Sequence, residues 1–301
     1  MHPVLKTVCA IAAASVLCAI LVPIYIHLAS EALIERRYPL PPIGEPTAPL
    51  PQMEIRGHHL AQIAGCSDCH GADFLGRREN TTNGLRIWSS NLRLAIAQMT
   101  DGEFERALRR GIAPDATSLW AMPSDNYMYM SESDVAALLS YLRSLGSSGE
   151  QRPGPVWSGL ARLALLEGRI VPAVIQTRDA STSLDMGPRY DGGRYLARIT
   201  CSECHGADLE GARGVPDLNT ISLYNRAAFF DLLRRGQGAR GRRVFVMHRL
   251  AAIRFHVLAD YEIMALYDYL DARAHAPPEL VARAKANEAR RKAETTAESD
   301  D

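Results

Sequence analysis

Residues 66–70 read Cys-Ser-Asp-Cys-His, and residues 201–205 repeat the pattern as Cys-Ser-Glu-Cys-His. Two cysteines separated by two residues and followed directly by histidine form the attachment signature of c-type haem. The two thiols can each add across a vinyl group of one porphyrin, and the histidine then reaches the iron from one face. A single Cys-x-x-Cys can instead serve zinc or redox chemistry, but each copy here has its own histidine. We therefore predict two covalently bound haem c groups. The predicted thioether donors are Cys66, Cys69, Cys201 and Cys204, and the predicted iron ligands are His70 and His205.

The sequence around the two motifs is repeated as well. Both motifs are followed by Gly-Ala-Asp-x-x-Gly, and a later segment of each half ends in Arg-Arg-Gly. Repetition over this length indicates a duplicated domain rather than the short period of a solenoid. The paired segments are 57–61 and 193–197, 71–76 and 206–211, 104–111 and 229–236, and 138–142 and 266–270.

The composition narrows the function classes. The chain has 301 residues, with 34 basic and 34 acidic side chains, so its formal charge is zero and nothing global indicates nucleic-acid binding. Four of the six cysteines belong to the two motifs, and the other two, Cys9 and Cys18, lie in an apolar N-terminal run. No cysteine pair is left outside that run, so the cysteines indicate cofactor chemistry and not a disulfide scaffold.

Residues 8–29 are almost wholly apolar and uncharged. About 20 such residues cross the hydrocarbon core of a bilayer as a helix. Lys6 precedes the run, so the short positive N-terminus is expected to stay in the cytoplasm, which places everything after Ser30 in the periplasm of a bacterium. A cleaved signal peptide is the alternative, although the run is long for one. We predict a retained single-pass anchor in the inner membrane.

Helix signals surround the first motif. Apolar residues of 55–63 fall on one helical face and lead into the motif. Thr100 and Glu103 form a capping-box pattern, and the helix that they open is expected to end at Gly111. Ser131 is a predicted N-cap for a further apolar helix.

Helices at both ends, a haem motif after the first helix and a late methionine in a loop resemble class I cytochrome c. In that family the terminal helices cross, and a loop methionine fills the second axial position of the iron; the matching residue here is Met122, followed by Pro123. A thioether is a soft neutral ligand that favours ferrous iron and raises the potential relative to two imidazoles. Met99, Met128 and Met130 are the other candidates, with Met99 as core filler and the last two packing around the porphyrin edge.

The repeat extends the ligand assignment to the second half. Met122 lies 11 residues after its helix-ending glycine, and Met247 lies 11 residues after the matching Gly236. Met247 is therefore the predicted ligand of the second iron. His248 and His256 are alternatives that would give two histidine ligands, and we expect His248 to point away from Met247 along an extended loop.

Three other features remain. His58 and His59 precede the first motif and are expected at the surface or the haem edge. Residues 156–166 are expected to form a packed connector, with a short amphipathic helix as the alternative. The loop around Met247 is basic, which fits a docking patch for an acidic redox partner, a contact to haem propionates, or a solvated loop. Its arginines are Arg234, Arg235, Arg240, Arg242, Arg243 and Arg249.

The predicted fold class is all-α, an N-terminal transmembrane helix followed by two tandem class I cytochrome c domains. The predicted segments are an anchor (1–30), a proline-rich spacer (31–51), cytochrome domain 1 (52–147), a linker (148–188), cytochrome domain 2 (189–275) and a charged tail (276–301), which is expected to be exposed and partly helical.

The chain is also similar to the membrane-associated cytochrome c subunits of bacterial alcohol and gluconate dehydrogenases, which carry three haem domains. This resemblance implies electron transfer from a periplasmic donor, a dehydrogenase, towards an oxidase or a quinone-linked complex. An enzyme with one substrate-accessible iron, peroxidase-like or thiosulfate-oxidising, is the alternative, and a purely structural anchoring subunit is a third. Candidate ligands for both irons at matched spacing favour an electron carrier that is not itself an enzyme.

Overall fold

A computed structural model describes residues 3–42, 52–80, 83–211 and 214–299. The chain is mostly helical, which confirms the predicted all-α class. The helices are α1 (Pro3–Ile34), α2 (Met53–Ile63), α3 (Cys66–His70), α4 (Leu92–Gln98), α5 (Asp101–Arg110), α6 (Ser124–Tyr127), α7 (Glu132–Ser144), α8 (Gly159–Leu166), α9 (Ala173–Asp179), α10 (Asp191–Thr200), α11 (Ser202–His205), α12 (Arg226–Arg235), α13 (Phe245–Ile253), α14 (Asp260–Ala274) and α15 (Pro278–Ser299), with 3₁₀ turns at Pro188–Tyr190, Leu218–Leu223 and Phe255–Val257.

Helix α1 contains the apolar run and continues past it to Ile34. Among the described ranges it alone is long and apolar enough to cross a membrane, a property that anchors and signal sequences share. Its C-terminal end is held by Arg162 of α8, which lies 2.6 Å from the Glu31 carboxylate and donates to the Ser30 hydroxyl. Residues 43–51 of the predicted spacer lie outside the described part of the chain.

Helices α2 to α7 form one group, which we name the first bundle. Helix α2 crosses α7 at Gly57, where an added Cβ would overlap the carbonyl oxygen of Ala137. The predicted capping box is confirmed, because the Thr100 hydroxyl accepts from the Glu103 amide and the Glu103 carboxylate accepts from the Thr100 amide. Helix α5 ends, as predicted, at Gly111 in the left-handed region.

Helices α10 to α14 form the second bundle, in which the same design recurs. Helix α10 crosses α14 at Gly193, where an added Cβ would overlap the carbonyl oxygen of Ala265. Helix α12 ends at Gly236 with φ of 67°, the value found at Gly111. The buried apolar side chains of the two bundles join in one continuous core.

Three short strands were not predicted. They are β1 (Arg78–Asn80), β2 (Leu85–Trp88) and β3 (Val156–Trp157), and they form an antiparallel sheet in that order. Strands β1 and β3 have three and two residues, too few to display the alternating pattern that identifies a strand in sequence, and β2 has only four. Strand β3 belongs to the segment between the bundles, so the sheet ties that segment to the first bundle.

The rest of the connecting segment is packed as well. Helix α8 packs against α1, and Ala161 and Ala164 on it are fully buried. The Ala173 amide at the start of α9 donates to the carbonyl of Leu119, 2.9 Å away, in the first bundle. The tail helix α15 in turn reaches α9, where Arg291 donates to the carbonyl of Ala180 at 2.6 Å.

Candidate haem sites

The two Cys-x-x-Cys-His stretches each form a short helix after a longer one. In the first bundle Gly65, with φ of 74°, turns the chain from α2 into α3. Burial raises the pKa of the Cys66 thiol to about 12 and that of the Cys201 thiol to about 11. Both thiols are therefore neutral at physiological pH. Among the described residues no three His, Cys, Asp or Glu side chains are grouped as a metal-ion site would require.

Both motif histidines are oriented by a backbone carbonyl. Nδ1 of His70 lies 2.9 Å from the carbonyl oxygen of Ser90, and Nδ1 of His205 lies 2.8 Å from that of Pro216. A carbonyl only accepts, so Nδ1–H donates in both rings and Nε2 is left with its lone pair. Burial lowers the pKa of both imidazoles, although the carbonyl bonds oppose it. A neutral imidazole with its second nitrogen held in this way is the arrangement that metal-binding histidines use.

The candidate methionine ligands lie on different local structures. Met122 stands in a loop just before α6, and the Ser124 amide donates to its carbonyl at 2.9 Å. Met247 is the third residue of helix α13. Both side chains are half-buried and pack against the continuous core. Of the other candidates in the first bundle, Met130 is fully buried in the core.

The expected extended loop at Met247 is wrong, since the backbone there is helical. The His248 amide donates to the Val244 carbonyl at 2.7 Å, which starts the helix. Nδ1 of His248 lies 2.8 Å from the carbonyl oxygen of Arg235, and its Nε2 faces the guanidinium of Arg243. Both ring nitrogens of His248 are thus engaged by other groups of the protein.

His256, the other alternative, is exposed within its 3₁₀ turn. Its backbone carbonyl accepts from Arg234 at 2.8 Å. The neighbouring Phe255 is buried instead. The side chain of His256 is therefore exposed, whereas Met247 packs against the core, and the ligand role of Met247 stays a prediction.

The arginines around Met247 divide into two groups. Arg234 also donates to the carboxylate of Asp260 at 2.8 Å, and Arg235 pairs with Asp231, so these two serve the bundle itself. The other arginines are exposed and lie beside Phe245, whose side chain is 81% exposed. These are Arg240, Arg242, Arg243 and Arg249.

Several polar residues at the junction of the bundles were missed by the sequence analysis. His59 was expected at the surface or the haem edge, but its Nε2 lies 2.8 Å from the Glu262 carboxylate of the other bundle. Arg254 contacts both motifs, at Asp68 and Glu203. The one signal in the sequence is that an acidic residue occupies the same position in the two motifs.

The donor set fits the haem that the motifs predict. Each bundle contains two motif thiols and one motif imidazole whose Nε2 keeps its lone pair, and the predicted methionine of each bundle packs half-buried against the common core. Imidazole and thioether together form the ligand pair of cytochromes c. The residues thus fit a covalently held, six-coordinate haem iron in each bundle.

No protein-family model matches the chain. The fructose dehydrogenase cytochrome subunit of Gluconobacter japonicus is 27% identical, over 75% of this chain and 55% of that protein. The gluconate 2-dehydrogenase cytochrome c subunit of Pantoea cypripedii is 28% identical, over 50% of this chain and 37% of that protein. The alcohol dehydrogenase (quinone), cytochrome c subunit of Gluconacetobacter polyoxogenes is 30% identical over 29% of this chain.

The chain spans about half the length of the first of these curated relatives, and less of the other two. All three are cytochrome subunits of dehydrogenases, which agrees with the motif chemistry and with the resemblance stated above. The motifs and the comparisons therefore lead to one conclusion: this chain is similar to the cytochrome c subunits of fructose, gluconate and alcohol dehydrogenases.

Proposed function

We propose that the chain is a membrane-anchored dihaem c-type cytochrome that passes electrons from a periplasmic dehydrogenase to a respiratory acceptor. One observation carries the proposal. The histidine of each motif donates its Nδ1–H to a backbone carbonyl, at Ser90 and at Pro216, and so presents Nε2 as a ligand. The arrangement occurs twice, on equivalent loops of the two bundles.

The residues have separate roles in this proposal. The cysteine pairs hold the porphyrins, the histidines and methionines supply the axial donors, and the surrounding core excludes water. When bound, haem supplies a one-electron ferrous–ferric couple, and a thioether donor favours its ferrous form. The proposed thioether residues are Cys66, Cys69, Cys201 and Cys204, and the proposed axial residues are His70, Met122, His205 and Met247.

The relatives and α1 support the proposed partners and the proposed compartment. The relatives are subunits of dehydrogenases, which supports a dehydrogenase as the donor. The proposed acceptor is an oxidase or a quinone-linked complex. Helix α1 would anchor the chain in the inner membrane as a single span, with the proposed haem domains (52–147 and 189–275) in the periplasm.

The exposed surface around Met247 is the proposed docking site for a redox partner. It combines the apolar side chains of Phe245 and Val246, 81% and 60% exposed, with the four exposed arginines named above. An apolar centre with a basic rim suits an acidic partner, because charge steers the encounter and the apolar contact holds it. The surface adjoins a proposed iron ligand, so docking there shortens the electron path.

Absorption spectroscopy of the full chain, produced in a host that attaches c-type haem, tests the proposal. We expect two haems per chain and a weak sulfur-to-iron charge-transfer band in the ferric form. Met122→Ala and Met247→Ala are each expected to remove about half of the band and to lower one potential by on the order of 0.1 V or more, within the ~0.8 V range that axial ligands span. Met128→Ala is the matched control and should leave the band intact.

Two outcomes would contradict the proposal. A chain that attaches one haem or none would exclude the dihaem assignment. A wild-type iron that is high-spin, or that exchanges its sixth ligand for cyanide within the mixing time, would instead favour the peroxidase-like or thiosulfate-oxidising enzyme.

A further inference from the structure

A single buried arginine joins the two haem motifs. Arg254 Nε donates to the carboxylate of Asp68 at 2.6 Å, and its Nη1 donates to the carboxylate of Glu203 at 2.9 Å. Asp68 and Glu203 occupy the same position in the two motifs, between the cysteines. The guanidinium side chain is only 8% exposed. The two attachment stretches are therefore no farther apart than one guanidinium and two hydrogen bonds allow.

The local structure is built to hold Arg254 in this place. It caps the C-terminus of α13, with its amide donating to the Leu250 carbonyl at 2.8 Å, and the buried Phe255 follows it. Its guanidinium lies against Gly65, where any Cβ would overlap it. Gly65 thus serves two needs, a left-handed turn into the motif and room for the cation. A planar fork with several donors suits two carboxylates at once, which a lysine would not match.

The contacts around Arg254 follow an approximate two-fold symmetry. His59 of α2 donates to Glu262, the third residue of α14, while the Tyr195 hydroxyl of α10 donates to Asp134, the third residue of α7, at 2.6 Å. His59 and Tyr195 each lie two residues after the glycine at which their helix crosses its partner. Equivalent residues thus meet reciprocal partners, as in an isologous interface.

The symmetry relation brings the two motifs face to face near its axis. A buried bond from the Ser202 hydroxyl to the Asn126 side chain, 3.0 Å long, adds a second link between the first bundle and the second motif. Among the residues of this junction, Arg254 is the one whose charged group contacts both motifs. Its charge therefore lies beside both proposed haem attachment stretches.

We propose that Arg254 is a positioning residue that locks the two haem motifs together and sets the potentials of both sites as a pair. The inference rests on the dihaem function proposed above. A buried cation disfavours the more positive, ferric state of any nearby iron, and low dielectric strengthens the effect. Removal of the arginine would also leave the carboxylates of Asp68 and Glu203, 21% and 36% exposed, facing each other without a cation.

Potentiometric titration of the full haem-loaded chain, followed by absorbance, tests the proposal. Arg254→Met is expected to lower both reduction potentials. The reduction equilibrium constant of each haem should fall at least tenfold, which corresponds to about 59 mV for one electron. Arg254→Lys keeps the charge and is expected to recover part of both shifts. Arg273→Met is the matched control, since Arg273 is 5% exposed but binds Asp217 and Asn219 within the second bundle. It should move at most one potential.

The outcomes separate this inference from the proposed function. A variant Arg254→Met that carries two haems could still overturn the role of Arg254. It would do so if the reduction equilibrium constants of both haems stayed within threefold of wild type, or if only one of them changed. Should that variant fail to fold, the double variant Asp68→Asn with Glu203→Gln takes its place. It removes two negative charges and keeps Arg254, so both potentials are expected to rise, and unchanged potentials would overturn the proposal. A wild-type chain without two haems would contradict the dihaem function instead.

Discussion

The two methionine loops follow the same backbone path but meet different surroundings. Each starts at a left-handed glycine with φ of 67°. Each then closes an isolated antiparallel bridge, Ile112 with Ser118 in the first bundle and Gln237 with Arg243 in the second. The amide of the next residue returns to the glycine carbonyl in both, at 2.8 and 3.0 Å. Up to this point the loops are the same structure.

The residue two positions before the methionine shows where they differ. In the first bundle Trp120 meets the edge of Trp157 from the connecting segment, with ring centroids 4.8 Å apart. The start of α9 also covers this loop, since the Val174 amide donates to the buried Ser118 hydroxyl at 3.3 Å. In the second bundle the equivalent Phe245 is 81% exposed. Nothing in the described part of the chain plays the part of Trp157 there.

The two proposed sites therefore differ in exposure. The loop of Met122 is covered by another part of the chain, whereas the loop of Met247 is open to solvent. The connecting segment covers the loop of Met122. The loop of Met247 has the same architecture without the cover, which fits the docking surface proposed there. The two copies of the domain thus differ in what lies over one loop.

The largest effect is expected where the bundles are alike. Gly57→Ala and Gly193→Ala each place a Cβ on a carbonyl oxygen of the crossing helix, so the helices must separate. Alanine gains about 1 kcal/mol in helix propensity, but overpacking of this kind costs up to about 3 kcal/mol. We expect each variant to lose about 2 kcal/mol of unfolding free energy, measured by urea titration.

The exposed Gly192 beside Gly193 provides the control for this pair. An added Cβ there meets nothing within 4 Å, so Gly192→Ala is expected to be neutral or slightly stabilising. Equal losses for Gly57→Ala and Gly193→Ala would support the repeated crossing. A neutral result at either crossing would contradict the close approach of those helices.

The second prediction concerns Trp120 and Phe245, the equivalent residues at which the two loops differ. Trp120→Ser removes a ring that packs on Trp157, and truncations of partly buried large side chains cost about 2 kcal/mol. Phe245→Ser removes an exposed ring and is expected to change stability by less than about 0.5 kcal/mol. Urea midpoints of the two variants measure the contrast, and equal midpoints would show that the connector does not cover the first loop.

Phe245→Ser also tests the proposed docking surface. Phe245→Ser is expected to slow electron exchange with an acidic redox protein, and the stopped-flow rate should fall further as ionic strength rises. Leu223→Ser, at another exposed apolar residue of the second bundle, is the control. An equal rate for wild type and Phe245→Ser would place docking elsewhere.

The sequence predicts those parts of the structure that depend on residues close together in the chain. The motif stretches, the capping box at Thr100 and the helix end at Gly111 all depend on chemistry within a few positions, and the repeat carried the assignment over to Gly236 and Met247. The ligand roles of Met122 and Met247 remain predictions. The prediction of an extended backbone at Met247 was wrong, because the hydrogen bond from the His248 amide to the Val244 carbonyl starts a helix there.

The parts that could not be predicted depend on pairs far apart in the chain. Arg254 meets Asp68 across 186 positions, and no pattern around residue 254 distinguishes it from the surface arginines before it. The cover of the first loop by Trp157 and the strand of two residues that holds Trp157 are equally invisible in a single sequence. Exposure, and with it the difference between the bundles, is therefore a tertiary property here.

The smallest effect concerns the contact of His59 with Glu262 at the bundle junction, whose contribution to the free energy of unfolding depends on pH. Burial would raise the pKa of Glu262, but hydrogen bonds from His59 and from the Ala259 amide, with the charge of Arg56, lower it below its ordinary value of 4.5. A carboxylate whose folded pKa is lowered contributes stability that is complete above the unfolded pKa and is lost as pH falls through the folded one. We expect Glu262→Gln to cost about 1–2 kcal/mol at pH 7.

The charge-dependent part of that cost should begin to shrink as the pH falls below 4.5, where the unfolded carboxylate takes up a proton. It should be gone once the pH has fallen through the lowered pKa of the folded Glu262. Asp260→Asn, at a 79% exposed carboxylate of the same helix, serves as the control and is expected to cost under about 1 kcal/mol. A pH-independent cost at Glu262 would mean that shape rather than charge holds the junction there. The contact of α2 with α14 would then rest on shape, and the bundles would still be joined by the Tyr195 bond to Asp134 and by the ion pairs of Arg254.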